Sequence, residues 1–197
     1  MVCFCIAHFS AFQLSAQTAD TTVCAAYMDS IGLYSYRYDA NDSLRYYAQK
    51  VLDCSKLTGD LEGQMEALSV LGVTCIRENN FQQALDYFEQ NKQMAIAQNN
   101  RIIEAQVLIN VASVYTSMDS SKRAMEMLMN SARIFEELQD SAMLMYTYTN
   151  IGILFGKIRE REDQLNYSRK AFAMGGGVVK DRKTLTLGTN LAVNYLN

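Results

Sequence analysis

Apolar and polar positions alternate along this chain on a long period. In the stretch VLGVTCIRENNFQQALDYFEQ, Val70–Gln90, an apolar helix-like segment meets a polar break and a second helix-like segment follows. Moving the sequence by forty residues lays this stretch on NVASVYTSMDSSKRAMEML, and by forty again on NIGILFGKIREREDQLNYS. Leu71, Val111, Ile151 and Leu191 form an apolar column. Gly72, Ala112, Gly152 and Ala192 form a column of small residues beside it, and Cys75, Tyr115, Phe155 and Tyr195 lie one helical turn further along the same face.

The second segment of each unit repeats as well. Ala84 matches Ala124, Leu85 matches Met125 and Leu165, and Phe88 matches Leu128. Upstream, Leu44 and Tyr47 align with Leu85 and Phe88 at an interval of 41, whereas Gly32 keeps the interval of forty to Gly72. The intervening turn is therefore read as about one residue shorter. Packing explains the columns. A small residue on the first helix lets the second approach, and the large residue one turn later fills the space between them. One hairpin cannot bury both its faces, so neighbours must stack. Leucine at Gly72 or Gly152 should then overpack the hairpin, at about 1–3 kcal/mol each.

The carrying residues are Leu71, Gly72, Cys75, Ala84 and Phe88, then Val111, Ala112, Tyr115, Ala124 and Leu128. In these the chain resembles the tetratricopeptide repeat family, in a variety with a period of forty rather than the usual 34 residues. The resemblance runs from about residue 22 to 197. It implies an all-α fold, a right-handed superhelical array of antiparallel helix hairpins. Units are expected at about 22–60, 61–100, 101–140 and 141–180, with a partial unit at 181–197. Repeats of the HEAT or armadillo kind share the period and are the alternative, but they usually carry prolines, and this chain has none. The fourth unit departs from the pattern. Gln164 and Ser168 stand where Ala and Phe are expected, and Gly175–Gly177 follow, so a shorter or re-registered helix is expected there. The charge run Arg159–Asp163 is read as a solvated turn.

Composition sharpens this reading. The absence of proline fits a chain that is helical nearly throughout. Hydrophobic residues at 49% and charged residues at 20% are globular values, and the net charge of −3 offers no footprint for nucleic acid. The first residues, MVCFCIAHFSAFQLSAQTAD, carry no Asp, Glu, Lys or Arg before Asp20. An apolar core followed by LSAQ reads as a secretory signal peptide over residues 1–16, although the basic start such peptides carry is missing. Residues 17–197 would form the exported, periplasmic repeat domain; a retained N-terminus would instead make the protein cytoplasmic. The last stretch, TLTLGTNLAVNYLN, repeats a first helix without its partner and has no charged residue, so the natural protein is expected to continue.

Candidate chemistry is sparse. The one histidine is His8, within the segment read as a signal, so the usual general base, nucleophile partner and metal ligand are missing from residues 17–197. DANDS, Asp39–Ser43, lacks the spacing of a calcium loop and reads as a turn and helix cap. GGGVVKDRKT lacks the Gly-Lys-Ser/Thr run of a phosphate loop. No catalytic residue, cofactor or metal site is assigned. Cys75 lies in the packing column and reads as a small buried hydrophobe. Cys24 and Cys54 differ. A hairpin turning near Asp39–Asn41 brings residue 24 level with residue 55, so the two form a possible disulfide in an oxidising compartment.

The family resemblance implies that the first helices line a concave face that binds a protein or peptide segment. The matching residues are Ser69, Val73 and Ile76, then Asn110, Ser113 and Thr116, then Asn150, Ile153 and Lys157, and finally Asn190. The clamp variety that holds chaperone tails needs a basic cluster with further asparagines, and Val73, Ile153 and Val193 occupy those places, so that ligand is rejected. A neutral, partly apolar groove suits a helix or mixed peptide. The function expected is non-catalytic protein interaction. It would belong to the extracytoplasmic part of a bacterial signal-transduction or transcription-regulator protein, with membrane contact only through parts outside this chain. The alternatives are an exported nutrient- or glycan-capturing protein and a cytoplasmic peptide-sensing regulator.

Overall fold

Helix ends set the architecture. The computed structural model of the protein describes residues 23–35 and 37–174. Helix α1 covers 23–34, and a short 3-10 turn at Tyr38–Ala40 leads into α2, Asn41–Thr58. Then come α3 (Leu61–Arg77), α4 (Phe81–Ala97), α5 (Arg101–Ser117), α6 (Ser121–Glu137), α7 (Ser141–Lys157) and α8 (Arg161–Met174). No strand occurs among the described residues. The helices group into two compact units, divided between Met94 and Ala95 within α4.

From α2 onward the turns keep a 20-residue clock. Gly59, Asn79, Asn99, Asp119, Gln139 and Arg159 all take positive φ, between 51° and 73°. The next amide in each case donates to the carbonyl five residues back: Asp60 to Ser55, Asn80 to Cys75, Asn100 to Ala95, Ser120 to Tyr115, Asp140 to Phe135 and Glu160 to Phe155, all at 2.8–3.0 Å. This is the Schellman closure, which satisfies carbonyls that the helix end would orphan. Every second turn adds an N-cap. The carboxylate or amide oxygens of Asp60, Asn100 and Asp140 accept from the backbone of Gly63, Ile103 and Met143 at 3.0–3.1 Å. Five of the six left-handed positions hold a side chain. Left-handed backbone costs an L residue more than glycine loses in entropy. Gln139→Gly and Arg159→Gly should therefore each raise stability by about 0.5–1 kcal/mol, read by urea unfolding. A loss at both positions would show that these side chains hold the turns by contacts of their own.

The buried positions on the second helix of each pair fall into slots forty residues apart. The first slot holds Leu44, Ala84 and Ala124; the next holds Ala48, Phe88, Leu128 and Ser168; the third holds Val51, Asn91, Ser131 and Ala171. This corrects the interval of 41 read upstream. Leu44 aligns with Ala84 and Ala48 with Phe88, so α2 keeps the common interval and exchanges the large and small residue between adjacent slots. Of the shorter or re-registered helix expected from Gln164 and Ser168, the re-registration does not occur, because the fourth pair is also in register; α8 is described over 14 residues, against 17 in each of α3 to α7. A Cβ on Gly152 would lie 3.2 Å from Ser168 Oγ, just as one on Gly72 would meet the Phe88 ring. Arg159–Asp163 are exposed, but the run divides between the turn and the first residues of α8.

Unit 1 packs Ile31, Leu44, Ala48, Val51, Leu52, Ala67, Leu68 and Leu71 around one core. Its polar staples run between helices. The Glu78 carboxylate on the α3 C-cap accepts from the Arg45 guanidinium and from Asn41 Nδ2 at 2.6 Å, and Arg77 donates to the Ser35 carbonyl at 2.8 Å. The Cys75 thiol is buried on α3, and burial pushes its pKa up. Unit 2 packs Ile109, Ala112, Leu128, Phe135, Leu144, Ile151 and Leu154 among others. The third slot carries polar atoms in both units. Fully buried Asn91 donates to the Met65 carbonyl at 2.9 Å, and fully buried Ser131 donates to the Ala105 carbonyl at 2.9 Å. Met65 and Ala105 are themselves forty residues apart, so one packing solution is built twice.

Candidate functional site

In unit 2 the first helices supply one face each. Ile109, Ala112, Ser113, Thr116 and Ser117 on α5 are spaced for a single side of the helix, as are Asn150, Ile153 and Leu154 on α7. With Leu128 of α6 they line an open cleft of about 260 Å³. Ile109, Ala112, Leu128 and Leu154 are buried and form an apolar floor, whereas Ile153 is 56% exposed and stands as one wall. Single exposed apolar side chains are ordinary on a protein surface, and what marks Ile153 is its place beside the buried apolar floor of the cleft.

The polar rim is held by the helices themselves. Ser113 Oγ donates to the Ile109 carbonyl at 3.2 Å, Thr116 Oγ1 to Ala112 at 2.8 Å and Ser117 Oγ to Ser113 at 3.0 Å. Asn150 Nδ2 donates to the Tyr146 carbonyl at 2.9 Å. At one end Lys157 Nζ lies 2.7 Å from the Asp119 carboxylate and 2.5 Å from the Thr116 carbonyl. The hydrogen bond and charge of Lys157 hold the Asp119 pKa below the usual carboxylate range.

The residues expected on the concave face separate into groups. Ser113, Thr116, Asn150 and Ile153 come together in the cleft. Lys157 lies at its end, engaged with the α5–α6 turn. Asn110 is half-buried on α5 and outside the lining. In unit 1, Val73 and Ile76 are half-buried on α3. Ser69 faces inward enough for its hydroxyl to accept from Asn91 Nδ2 at 2.7 Å, so it also serves the α3–α4 packing. Asn190 lies outside the described residues, as does the segment 1–16. As lining residues, sequence reading missed Ile109, Ser117, Ala112, Leu128 and Leu154. The i, i+4 partner of Ser113 was the available signal for the first two.

Two further features lie away from the cleft. The structure brings Cys24 and Cys54 together in disulfide contact, with Cα atoms 5.8 Å apart, between α1 and α2. Beside them Ala25, Met28, Val51, Ser55, Thr58 and Asp60 line a second opening of about 340 Å³. On α7 and α8, Tyr167 stacks with Phe155 and meets Tyr148 edge-on, with the Lys170 ammonium 4.7 Å from the Tyr167 ring centre. The Tyr148 hydroxyl donates to Glu136 at 2.6 Å, and burial followed by this bond pushes its pKa up to about 12. That tyrosine stays protonated at any ordinary pH. Among the described residues no group of three His, Cys, Asp or Glu side chains is placed to hold a metal ion, and no helix is long and apolar enough to cross a membrane.

No protein-family model matches the chain, and no curated protein matches it. Solved structures do. Aspartyl phosphate phosphatase F from Bacillus subtilis superposes with a TM-score of 0.76 at 14% identity, over 88% of this chain and 45% of that one. The apo form of RapI gives 0.69 at 15% identity, over 85% of this chain and 46% of that one. Both are thus matched over less than half their length. A protein from Podosopora anserina with kinesin light chain TPR-like repeats gives 0.64 at 11% identity, over 88% and 86%. Identities this low speak for the fold alone. Paired helices on a forty-residue interval, buried slots that recur at that interval and these neighbours agree, and the chain has the tetratricopeptide-type helical-repeat fold.

Proposed function

We propose that this chain is a non-catalytic interaction scaffold that binds a protein or peptide segment, and that the α5–α7 cleft is its working surface in unit 2. The observation that carries the reading is the exposed Ile153 wall above a buried apolar floor and beside a polar rim. Surfaces that receive peptides combine apolar area with a few placed polar groups. The chain spans less than half of the Bacillus phosphatase, and that protein's activity is not carried over.

A peptide selected from a displayed random library against the whole protein provides the test. Ser113→Tyr, which fills the cleft, and Ile153→Ala, which removes its wall, should each weaken such a peptide by about tenfold or more. Gln90→Ala, at an exposed position on α4, should change affinity by less than about threefold. Thermal unfolding of the variants checks that the fold persists. Peptides that bind all the variants alike would place the working surface elsewhere.

The wider role we propose is that of the extracytoplasmic repeat part of a bacterial signal-transduction or transcription-regulator protein. Support comes from the apolar start followed by LSAQ and from the proximity of Cys24 and Cys54, since disulfides persist in oxidising compartments. N-terminal sequencing of the mature protein should begin near Gln17. A protein that keeps Met1 in the cytosol would end the export reading and leave the interaction role standing.

A further inference from the structure

We infer that the opening between α1 and α2 binds a primary ammonium group on a short aliphatic chain, as carried by a free alkylamine or by the lysine side chain of a partner. The site belongs to unit 1 and is independent of the α5–α7 cleft. Its lining has two halves. Ala25 and Met28 of α1 and Val51 of α2 supply apolar surface, and the Cys24–Cys54 pair joins the two helices beside them. Ser55, Thr58 and Asp60 supply oxygens where α2 stops and α3 begins. Val51, Ser55 and Thr58 are spaced for one stripe of α2, and the lining holds no Lys, Arg or His.

Two of these oxygens are unanswered. Ser55 is 1% exposed, yet its hydroxyl has no hydrogen-bond partner among the described residues. Buried hydroxyls nearly always have one. Asp60 Oδ1 accepts from the Gly63 amide as the α3 cap at 3.0 Å, whereas Oδ2 has no hydrogen bond or ion pair among the described residues. Ser55 Oγ and Asp60 Oδ2 would each lie 2.4 Å from a Cβ on Gly63, so they flank one spot, and the glycine lets both approach it. The donors nearby serve the backbone: Thr58 Oγ1 donates to the Cys54 carbonyl at 3.2 Å and Gln64 Nε2 to the Ser55 carbonyl at 3.1 Å. An ammonium brings three N–H donors and a compact positive charge, which suits a carboxylate oxygen beside a hydroxyl. The surrounding charge has the matching sign. The first 94 residues hold eleven Asp and Glu against six Lys and Arg, a net of −5. Burial, then the charges of Glu62 and Asp60, push the Glu66 pKa up, which marks negative potential at the start of α3. The C-terminal end of α2 also favours a cation, while Asp60 Oδ1 answers the opposite end of α3. Ala25, Met28 and Val51 receive the aliphatic chain.

The experiment follows chemical shifts of the whole, unreduced protein by NMR while n-pentylammonium, n-pentanol or pentanoate is added. Pentylammonium should shift the resonances of Met28, Ser55, Thr58 and Asp60 to saturation, with pentanol bound about fivefold or more weaker and pentanoate weaker still. Asp60→Asn keeps a good cap for α3 and should weaken pentylammonium by about fivefold or more, and Ser55→Ala should weaken it by about threefold. Asp42→Asn removes the same charge at the exposed start of α2 and should change binding by less than about twofold. A capped tripeptide with a central lysine separates the two sources. Tighter binding than pentylammonium at the same resonances assigns a partner's lysine, and weaker binding assigns a free amine. Equal binding of pentylammonium and pentanol would overturn the inference. So would equal losses on Asp60→Asn and Asp42→Asn, unchanged binding by both Asp60→Asn and Ser55→Ala, or shifts by pentylammonium that do not saturate.

Discussion

Gly72→Ala is expected to destabilise the protein by about 2–3 kcal/mol, and Gly72→Leu by more. A Cβ at this position would lie 2.4, 2.5 and 2.9 Å from three atoms of the Phe88 ring, and that ring is fully buried. A phenyl group in a close-packed interior cannot retreat without displacing its own neighbours. The other glycines of the column should behave differently. At Gly152 the nearest atom is Ser168 Oγ at 3.2 Å, so alanine there should change stability by less than about 1 kcal/mol. At Gly32 nothing lies within 4 Å, and alanine should stabilise the helix by about 0.5–1 kcal/mol. The unit with Ala112 and Leu128 supplies a rescue. These residues occupy the slots of Gly72 and Phe88, so the double change Gly72→Ala with Phe88→Leu should recover most of the loss. Urea unfolding of the series is the measurement. Equal effects at Gly72 and Gly152 would mean that close approach is not set by the residue opposite.

With Cys24 and Cys54 joined, reduction or the double change to serine is expected to cost about 3–4 kcal/mol of stability, the loop-closure entropy of a loop of this length. The two cysteines are 30 residues apart in sequence and bracket most of α1 and α2. α1 has few fully buried side chains, Ile31 being the main one, so much of the loss should appear as early fraying of this helix. Unfolding curves with and without reductant test the size of the effect, and hydrogen exchange over residues 23–34 tests its place. In unreduced protein, Cys75 should supply the reacting thiol of residues 23–174 once denaturant uncovers it. Identical unfolding curves, with Cys24 and Cys54 also reacting, would show the pair to be open.

The hairpin periodicity was legible because the two central pairs repeat a size relation, Gly72 with Phe88 and Ala112 with Leu128, that packing enforces on both partners. The exchange of Leu44 and Ala48 was hidden for the same reason. Matching like residues with like pulls Leu44 onto Leu85, whereas burial depends on where the pair fills space and not on which member fills it. Asn91 and Ser131 were also missed. A polar residue in a sequence column reads as surface, and only the structure shows that a carbonyl of the facing helix receives each one. The turns hid a second signal. Glycine announces a left-handed residue at Gly59, but Asn79, Asn99, Asp119, Gln139 and Arg159 do so weakly, and the NN pairs at 79–80 and 99–100 were the readable trace. In the cleft, residue types placed Ser113, Thr116, Asn150 and Ile153 on one face. They did not reveal that Lys157 was already engaged, since that depends on Asp119 in the α5–α6 turn, 38 residues earlier in the chain.

The Cys24–Cys54 closure also has a mechanical consequence. Tension entering the chain ahead of Cys24 passes through the sulfurs to Cys54 and leaves α1 and most of α2 off the force path. The 30 residues between them would otherwise lengthen by about 100 Å when pulled straight. Stretched from its two ends, the oxidised protein should therefore yield first in helices beyond Cys54, and its fully extended length should be shorter than that of the reduced protein by about that amount. A domain held between an anchored end and a moving one would keep its first hairpin folded while later helices open.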